Sequence, residues 1–514
     1  MEQTLREIQE IDSPTVIPSV CSNPQWEQRA TDLDITKGIT NTTNNEDEDT
    51  SMALSGDGKT IAISLPQKDD VRTGRNVGLV QVYQLKDRVT SPSSSSSSYW
   101  KKIGYDIMGE NADDLLGLKL SLSENGHILA VTGNAWYDKY PLLSSRSFVR
   151  VYRINYSTNT WDKLGDDIPG GSSISLSKEG DILAVGETSP LFSNMLANAR
   201  VYFLDTTLTN ATESNVEQWN QLGSDIKYEG IGNFTSADFG QSVSLSSDGS
   251  TVAIGAPGFG EANKNSGGLV QIYSYDFEKK DFVQLGSDIF GEILSVVGGS
   301  DNGIRRESLG ESVSLSENGR IVAVGTLSRV KIFQYQKING TSNNYDWRQL
   351  GNDINGDDVE PITWTQNQKG GTLYSTISLL YNDIGTSISL SDDGHTIALC
   401  ADRFMPIGLV YKYNDPDWTR VGSELLLAEN LYQLEFESYY SAGITTQPGS
   451  IFLSGDGNTV GIIGEKLNSD FGSSSMLPNG PIEGGDYAGT VRVFSLTGCH
   501  SDNVRPILLS CIML

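Results

Sequence analysis

FGQSVSLSSDGSTVAIGAP, residues 239–257, decides the fold. Val243 and Leu245 alternate with Ser242, Ser244 and Ser246, the period of a strand with two unlike faces. Asp248-Gly249 then offers a tight hairpin turn, since Gly accepts positive φ and Asp tolerates it. TVAIGAP reads as a second strand. A Gly-rich loop leads to LVQIYSY (269–275), a third, and a short link leads to FVQLGSDI (282–289), a fourth. Four antiparallel strands make one propeller blade.

The opening phrase returns seven times: SMALSGDG (51–58), LKLSLSENG (118–126), SISLSKEG (173–180), SVSLSSDG (242–249), SVSLSENG (312–319), SISLSDDG (387–394) and SIFLSGDG (450–457). The period is about 67 residues, and a repeat of that size filled with alternating residues and turn signals means blades in a ring. The third-strand phrase recurs as GLVQVYQL (78–85), FVRVYRI (148–154), ARVYFL (199–204), RVKIFQY (329–335), GLVYKY (408–413) and TVRVFSL (490–496). The fourth recurs from WKKIGYDI (100–107) to WTRVGSEL (418–425), with a displaced copy, WEQRATDL, at 26–33. The last repeat ends after TVRVFSL with no such segment of its own. The expected fold is therefore all-β: a seven-bladed β-propeller of four-stranded antiparallel blades over 26–496, with tails at 1–25 and 497–514. Its ring is closed by the Trp26 segment as the outer strand of the last blade, which removes an open sheet edge. The ordinary alternative starts blade one at Trp26.

Trp26, Trp100, Trp161, Trp219, Phe282, Trp347 and Trp418 open the fourth-strand phrase. Large flat side chains suit the wide outer part of each wedge, so packing between blades is their expected role. Six residues after each stands an acid: Asp32, Asp106, Asp167, Asp225, Asp288, Asp353 and Glu424. Seven carboxylates in seven blades could ring a cation; the structural reading has each accept backbone N–H groups at the crossing to the next blade.

The repeats resemble two known groups. The strand order and the S-x-D-G…V-R-V-Y rhythm resemble WD40-type propellers, although most blades lack the W-D and G-H signatures. The longer period, the W-x-Q-L-G-x-D-I phrase and A-I-G-A-P (253–257) resemble FG-GAP or integrin-alpha-like repeats. The second resemblance implies calcium held in D-x-D-x-[DN]-G loops. No such loop occurs; Asp301-Asn302-Gly303 and Asn355-Gly356-Asp357-Asp358 are fragments of one. No cofactor is expected, with calcium the one candidate the resemblance raises.

Net charge is −28, from 37 Lys+Arg against 65 Asp+Glu, and no basic stripe interrupts it. Nucleic-acid binding is excluded on that balance. No apolar stretch reaches the roughly 20 residues of a membrane span, and MEQTLREIQEIDSPTVIPS lacks a signal-peptide core. The sequence assigns no compartment and no oligomeric state. Three histidines, His127, His395 and His500, form no catalytic or metal-ligating order.

Blades differ most in their second-to-third-strand loops and fourth-to-first crossings, which the strand order puts on one face. Trp136, Tyr137, Tyr140, Trp364, Tyr374, Tyr439 and Tyr440 gather there, and exposed Tyr and Trp favour recognition. Long crossings that bury their own aromatics are the bland alternative. The leading expectation is a non-enzymatic scaffold binding a protein or glycan. The other is a hydrolase or lyase acting on a polysaccharide, which two or three buried carboxylates at the axial mouth would favour. Cys21 and Cys499 flank the two strands that would close the ring and could form a disulfide; two free thiols are the alternative.

Overall fold

The computed structural model describes residues 24–34, 50–87, 98–135, 146–188, 197–206, 217–228, 238–260, 267–294, 305–338, 344–355, 363–368, 371–376, 384–401, 407–426, 450–464 and 490–497. Among them every regular element is a strand, and none is a helix that could cross a membrane. Seven antiparallel sheets each run outward from an inner strand through a second, third and fourth. The inner strands are Ser51–Leu54, Leu120–Leu122, Ser173–Leu176, Ser242–Leu245, Ser312–Leu315, Ile388–Leu390 and Ser450–Leu453, for blades 1 to 7. Each lies against the next, and blade 7 lies against blade 1. The molecule is a seven-bladed β-propeller.

Closure uses the displaced strand. Gln25–Gln28 pairs antiparallel with Thr490–Thr497, in the register Trp26 to Leu496, and Leu33–Asp34 continues along the same strand. The two ends of the chain thus share one sheet.

The second strands are the driest part of the fold: Thr60–Leu65, Thr251–Ala256 and Thr396–Ala401 are buried along their whole length. They read as continuous apolar runs because neighbouring blades cover both of their faces. A glycine late in three of these runs has a specific cause. A Cβ at Gly186, Gly255 or Gly325 would overlap the carbonyl of Gly240, Gly310 or Gly385, which heads the next blade.

The outer strand departs from the sequence reading. The eight-residue phrase is a single strand only in blade 3, Gln218–Ile226, and there it carries a register shift opposite Ala199/Val201. In blades 1, 2, 4, 6 and 7 two short pieces pair with the same third strand. In blade 5 the second piece shrinks to the bridge Val330–Ile354. Inside the phrase Gly104, Gly165, Gly223, Gly286, Gly351 and Gly422 all have φ between 69° and 74°, which disturbs a ladder; blade 3 absorbs it as the register shift in an unbroken strand, and blade 7 splits beside Ala30 without a glycine. Two crossings also carry ribbons that periodicity did not reveal, Ile293–Leu294 with Arg305–Arg306 and Thr363–Gln368 with Gly371–Thr376.

Candidate functional site

Three sets of joints hold the blades in place. The outermost uses the repeated aromatic residue. Nε1 of Trp161, Trp219, Trp347, Trp418 and Trp26 donates to the carbonyl of Ile103, Leu164, Leu285, Leu350 and Val421 on the preceding blade, at 3.2, 3.1, 2.7, 2.8 and 2.8 Å. The indole covers the glycine that follows that carbonyl. These five and Phe282 are buried, while Trp100 is half-buried. In the closing strand's copy of the phrase Ala30 stands in place of the glycine.

A second joint precedes the aromatic residue. Asp281, Asp346 and Asp417 accept the backbone N–H of Ser224, Ser287 and Asn352 at 2.9, 2.7 and 2.9 Å, and a side-chain donor of the same residue. The backbone donors hold Asp281 and Asp417 below the usual carboxylate range. Partial burial pushes Asp346 upward, but the Ser287 and Trp347 N–H groups outweigh it and its value also falls.

The third joint is near the axis. Oγ of Ser121, Ser175, Ser244, Ser314 and Ser389 accepts the N–H of Leu176, Leu245, Leu315, Leu390 and Leu453 on the following blade, at 2.9–3.0 Å. Small size is therefore only half of what serine supplies here. Blade 1 has Ala53 and blade 7 has Phe452 at this position, so neither can act as acceptor.

The seven repeated acids have different partners from those expected. Their donors are side chains of the same blade, not backbone groups of the next. Arg150 holds Asp167 with two bonds of 2.9 and 3.0 Å; Arg200, Gln271, Arg329 and Arg492 serve Asp225, Asp288, Asp353 and Asp32; Gln81 and Lys102 serve Asp106. Glu424 lies 3.6 Å from Arg420. Burial pushes Asp225 upward, but Arg200, Lys227 and Gln221 bring it down to about 2.

Third-strand cations also anchor the crossings. Arg150, almost fully buried, lies 3.6 Å from buried Asp114 and 3.2 Å from Glu110. Lys331 lies 3.0 Å from Glu307, whose side chain is wholly enclosed and also accepts the Glu292 N–H at 2.6 Å. Blades 1 and 4 carry Gln81 and Gln271 there instead.

The strand register turns this scaffold into two unlike faces. All seven Asp/Asn/Glu-Gly turns lie at one end. Among the described residues, the strand ends that lead into the second-to-third segments and the fourth-to-first crossings lie at the other. At the axial mouth of the long-segment face stand Asp238, four residues before the inner strand of blade 4, and Glu311, directly before that of blade 5. Both are half-buried, and burial is the first cause raising each carboxyl. Asp238 raises Glu311 further, and Lys119, from blade 2 across the axis, offsets part of it. Among the described residues neither carboxylate receives a hydrogen bond or an ion pair. Two carboxyls that burial raises and that no described donor pairs, within electrostatic reach of each other and of the exposed Lys119, can bind polyhydroxyl groups or move a proton.

Trp136, Tyr137, Tyr140, Tyr439 and Tyr440 lie outside the described residues, as do Cys21, Cys499 and the fragments Asp301–Gly303 and Gly356–Asp358. Trp364 and Tyr374 lie on the two strands of one crossing ribbon, opposite Ser375 and Thr365. Gln25 opposite Thr497 is the described pair nearest the two cysteines. Cys400 is buried in the core that also holds Trp26. Among the described residues no group of three or more His, Cys, Asp and Glu is placed to hold a metal ion.

No family model matches the chain, and no curated protein matches it. The WD40-type and FG-GAP resemblance of the repeats thus has no counterpart in a matching family. Among solved structures, the chain is similar to the periplasmic gluconolactonase of Pseudomonas aeruginosa, with 13% identity over 75% of this chain and 86% of that one and a TM-score of 0.38. It is similar to a protein of unknown function from Desulfotomaculum acetoxidans, with 13% identity over 79% and 99% and a TM-score of 0.39. It is also similar to a chain of a mitotic checkpoint complex, with 10% identity over 95% and 99% and a TM-score of 0.38. Nothing about the axial carboxyls follows from identities this low.

Proposed function

We propose that the protein is a propeller scaffold that binds a protein or glycan partner on its long-segment face. The observation that carries this reading is the register. The described strands end toward one face where the variable segments leave them, while short hairpins bonded to one another occupy the other face, which supports this reading. Recognition concentrates in variable loops positioned by a rigid frame. The repeated aromatic and acidic positions are spent on the joints between and within blades, which supports a frame whose ligand contacts lie elsewhere.

The test is a glycan and protein array screen of the purified chain, with each hit remeasured on Asp238→Asn/Glu311→Gln and on Glu317→Gln. The reading expects binding to weaken about tenfold or more in the first variant, the loss of one buried contact, and to persist in the second. The reverse pattern would overturn it.

The axial carboxyl pair favours a second reading, a hydrolase or lyase acting on a polysaccharide. Acid–base cleavage uses two carboxyls whose proton affinities differ, and Asp238 raises Glu311 beyond the effect of burial. Under this reading a panel of neutral and uronate-containing polysaccharides yields new chain ends with the wild type. Glu311→Gln then abolishes turnover and keeps binding. Release unaffected by Glu311→Gln would remove the assignment.

A further inference from the structure

The hairpin face closes on a ring of backbone hydrogen bonds. Asp57 N–H donates to Glu124 O, and the chain of bonds continues through Lys178, Ser247, Glu317, Asp392 and Gly455, whose N–H returns to Gly56 O; all seven are 2.8–3.0 Å. Seven steps of about 4.8 Å would make a neck about 11 Å across at the backbone. Its side chains are therefore Glu124, Lys178, Ser247, Glu317 and Asp392, with no side chain at Gly56 and Gly455.

Those two glycines occupy the hairpins of blades 1 and 7, the seam at which the ring closes. Their space is filled from both sides. A methyl group at Gly56 would overlap the Glu124 carboxylate, and one at Gly455 would overlap the Asp392 carboxylate. Lys178 reaches from the far side, 3.0 Å from Glu317 and 3.9 Å from Asp392. One ammonium thus serves three carboxylates. The same seam lacks the axial serine acceptor, since Phe452 stands where blades 2 to 6 have Ser.

We infer that Glu124 and Asp392 form a proton-dependent clasp over the closing seam, strained while both are ionised and tightened when one takes up a proton. The charged groups around them are Asp57, Lys178, Glu317, Asp393 and Asp456. Burial is the largest cause raising Glu124, with Asp392 the next; burial also leads for Asp392, with Lys178 opposing and Glu317, Asp393 and Asp456 adding. His395 and His127 follow Asp392 and Glu124 by three residues on the same two hairpins, with their rings against Tyr413 and Tyr156. A carboxyl raised in the folded state binds its proton more tightly there than in the unfolded chain. The stability it contributes is thus fully present below the unfolded value and lost as pH rises through the folded one.

The test compares the full-length chain with Glu124→Gln/Asp392→Asn, both in a His395→Gln background, by calorimetry across pH. Near neutral pH the double variant should melt about 1–2 °C above its parent, the shift expected of roughly 1 kcal/mol in a large domain. The gap should close on acidification, as the parent's own carboxyls protonate. A variant that melts lower at neutral pH, or a gap that does not change with pH, overturns the clasp. Amide exchange in the wild type is the second readout. After correction for intrinsic rates, protection of the Gly455 amide relative to the Ser247 amide should rise roughly threefold or more from neutral to mildly acid pH. A constant ratio would equally overturn it.

Discussion

Trp26 Nε1 donates to the carbonyl oxygen of Val421 at 2.8 Å, across 395 residues of chain. The N-terminal strand therefore joins the last blade's sheet and also docks that blade onto its neighbour, by the same bond that four other junctions use. Trp26→Phe keeps the ring and removes the donor, and should cost about 1 kcal/mol. Trp26→Ala should cost about 3–5 kcal/mol. Equilibrium denaturation separates the two, and equal losses would mean that the indole N–H contributes nothing.

Blade 4 presents Phe282 where five other junctions have an indole donor. Phe282→Trp should supply a bond to the carbonyl of Leu222 and raise stability by about 1 kcal/mol. A loss of stability would show that the slot above Gly223 is closed to the larger ring.

Glu307 and Lys331 are a buried pair 3.0 Å apart. Glu307→Ala leaves a buried ammonium whose other carboxylate partner among the described residues, exposed Glu292, lies 3.8 Å away, and should cost about 3–5 kcal/mol. Glu307→Leu/Lys331→Met should recover most of that, since apolar replacement of a buried pair is often neutral. If the double variant is no better than the single, the pair is needed for more than charge balance.

Asp281, Asp346 and Asp417 sit below the usual carboxylate range because backbone N–H groups stabilise their ionised forms. A depressed folded value means stability present above the ordinary carboxylate value and lost as pH falls through the folded one. Asp346→Asn should therefore cost about 1 kcal/mol at neutral pH and progressively less in acid. A pH-independent cost would show that the charge is irrelevant to the joint.

Much of this architecture is legible because a propeller repeats its physics. The seven copies of the L-S-x-[DNE]-G phrase count the blades, and the orphan WEQRATDL has one strand left to pair with. The break in the outer strand was partly legible, since Gly286 and most of its equivalents recur where the phrase divides and positive φ disturbs a ladder; the division beside Ala30 in blade 7 carries no such signal. The partners of Asp167 and its equivalents were missed because the cation lies a strand away, at Arg150, and periodicity along one strand does not reveal what stands beside it. Asp238, Glu311 and Lys119 carry no sequence signal. They come from three different blades, and only ring closure brings them together.

The account rests on closure by the N-terminal strand, and calorimetry of chains lacking residues 1–36 and residues 1–20 tests it most directly. Deleting 1–36 removes Gln25–Gln28, Leu33–Asp34 and the Trp26 bond, which opens an outer edge on the last blade and frees the joint to blade 6. That chain should melt well below the full-length protein, and the chain lacking 1–20 should melt with it. If the chain lacking 1–36 melts at the full-length temperature, the ring is closed by something else, and the displaced strand is not its lock.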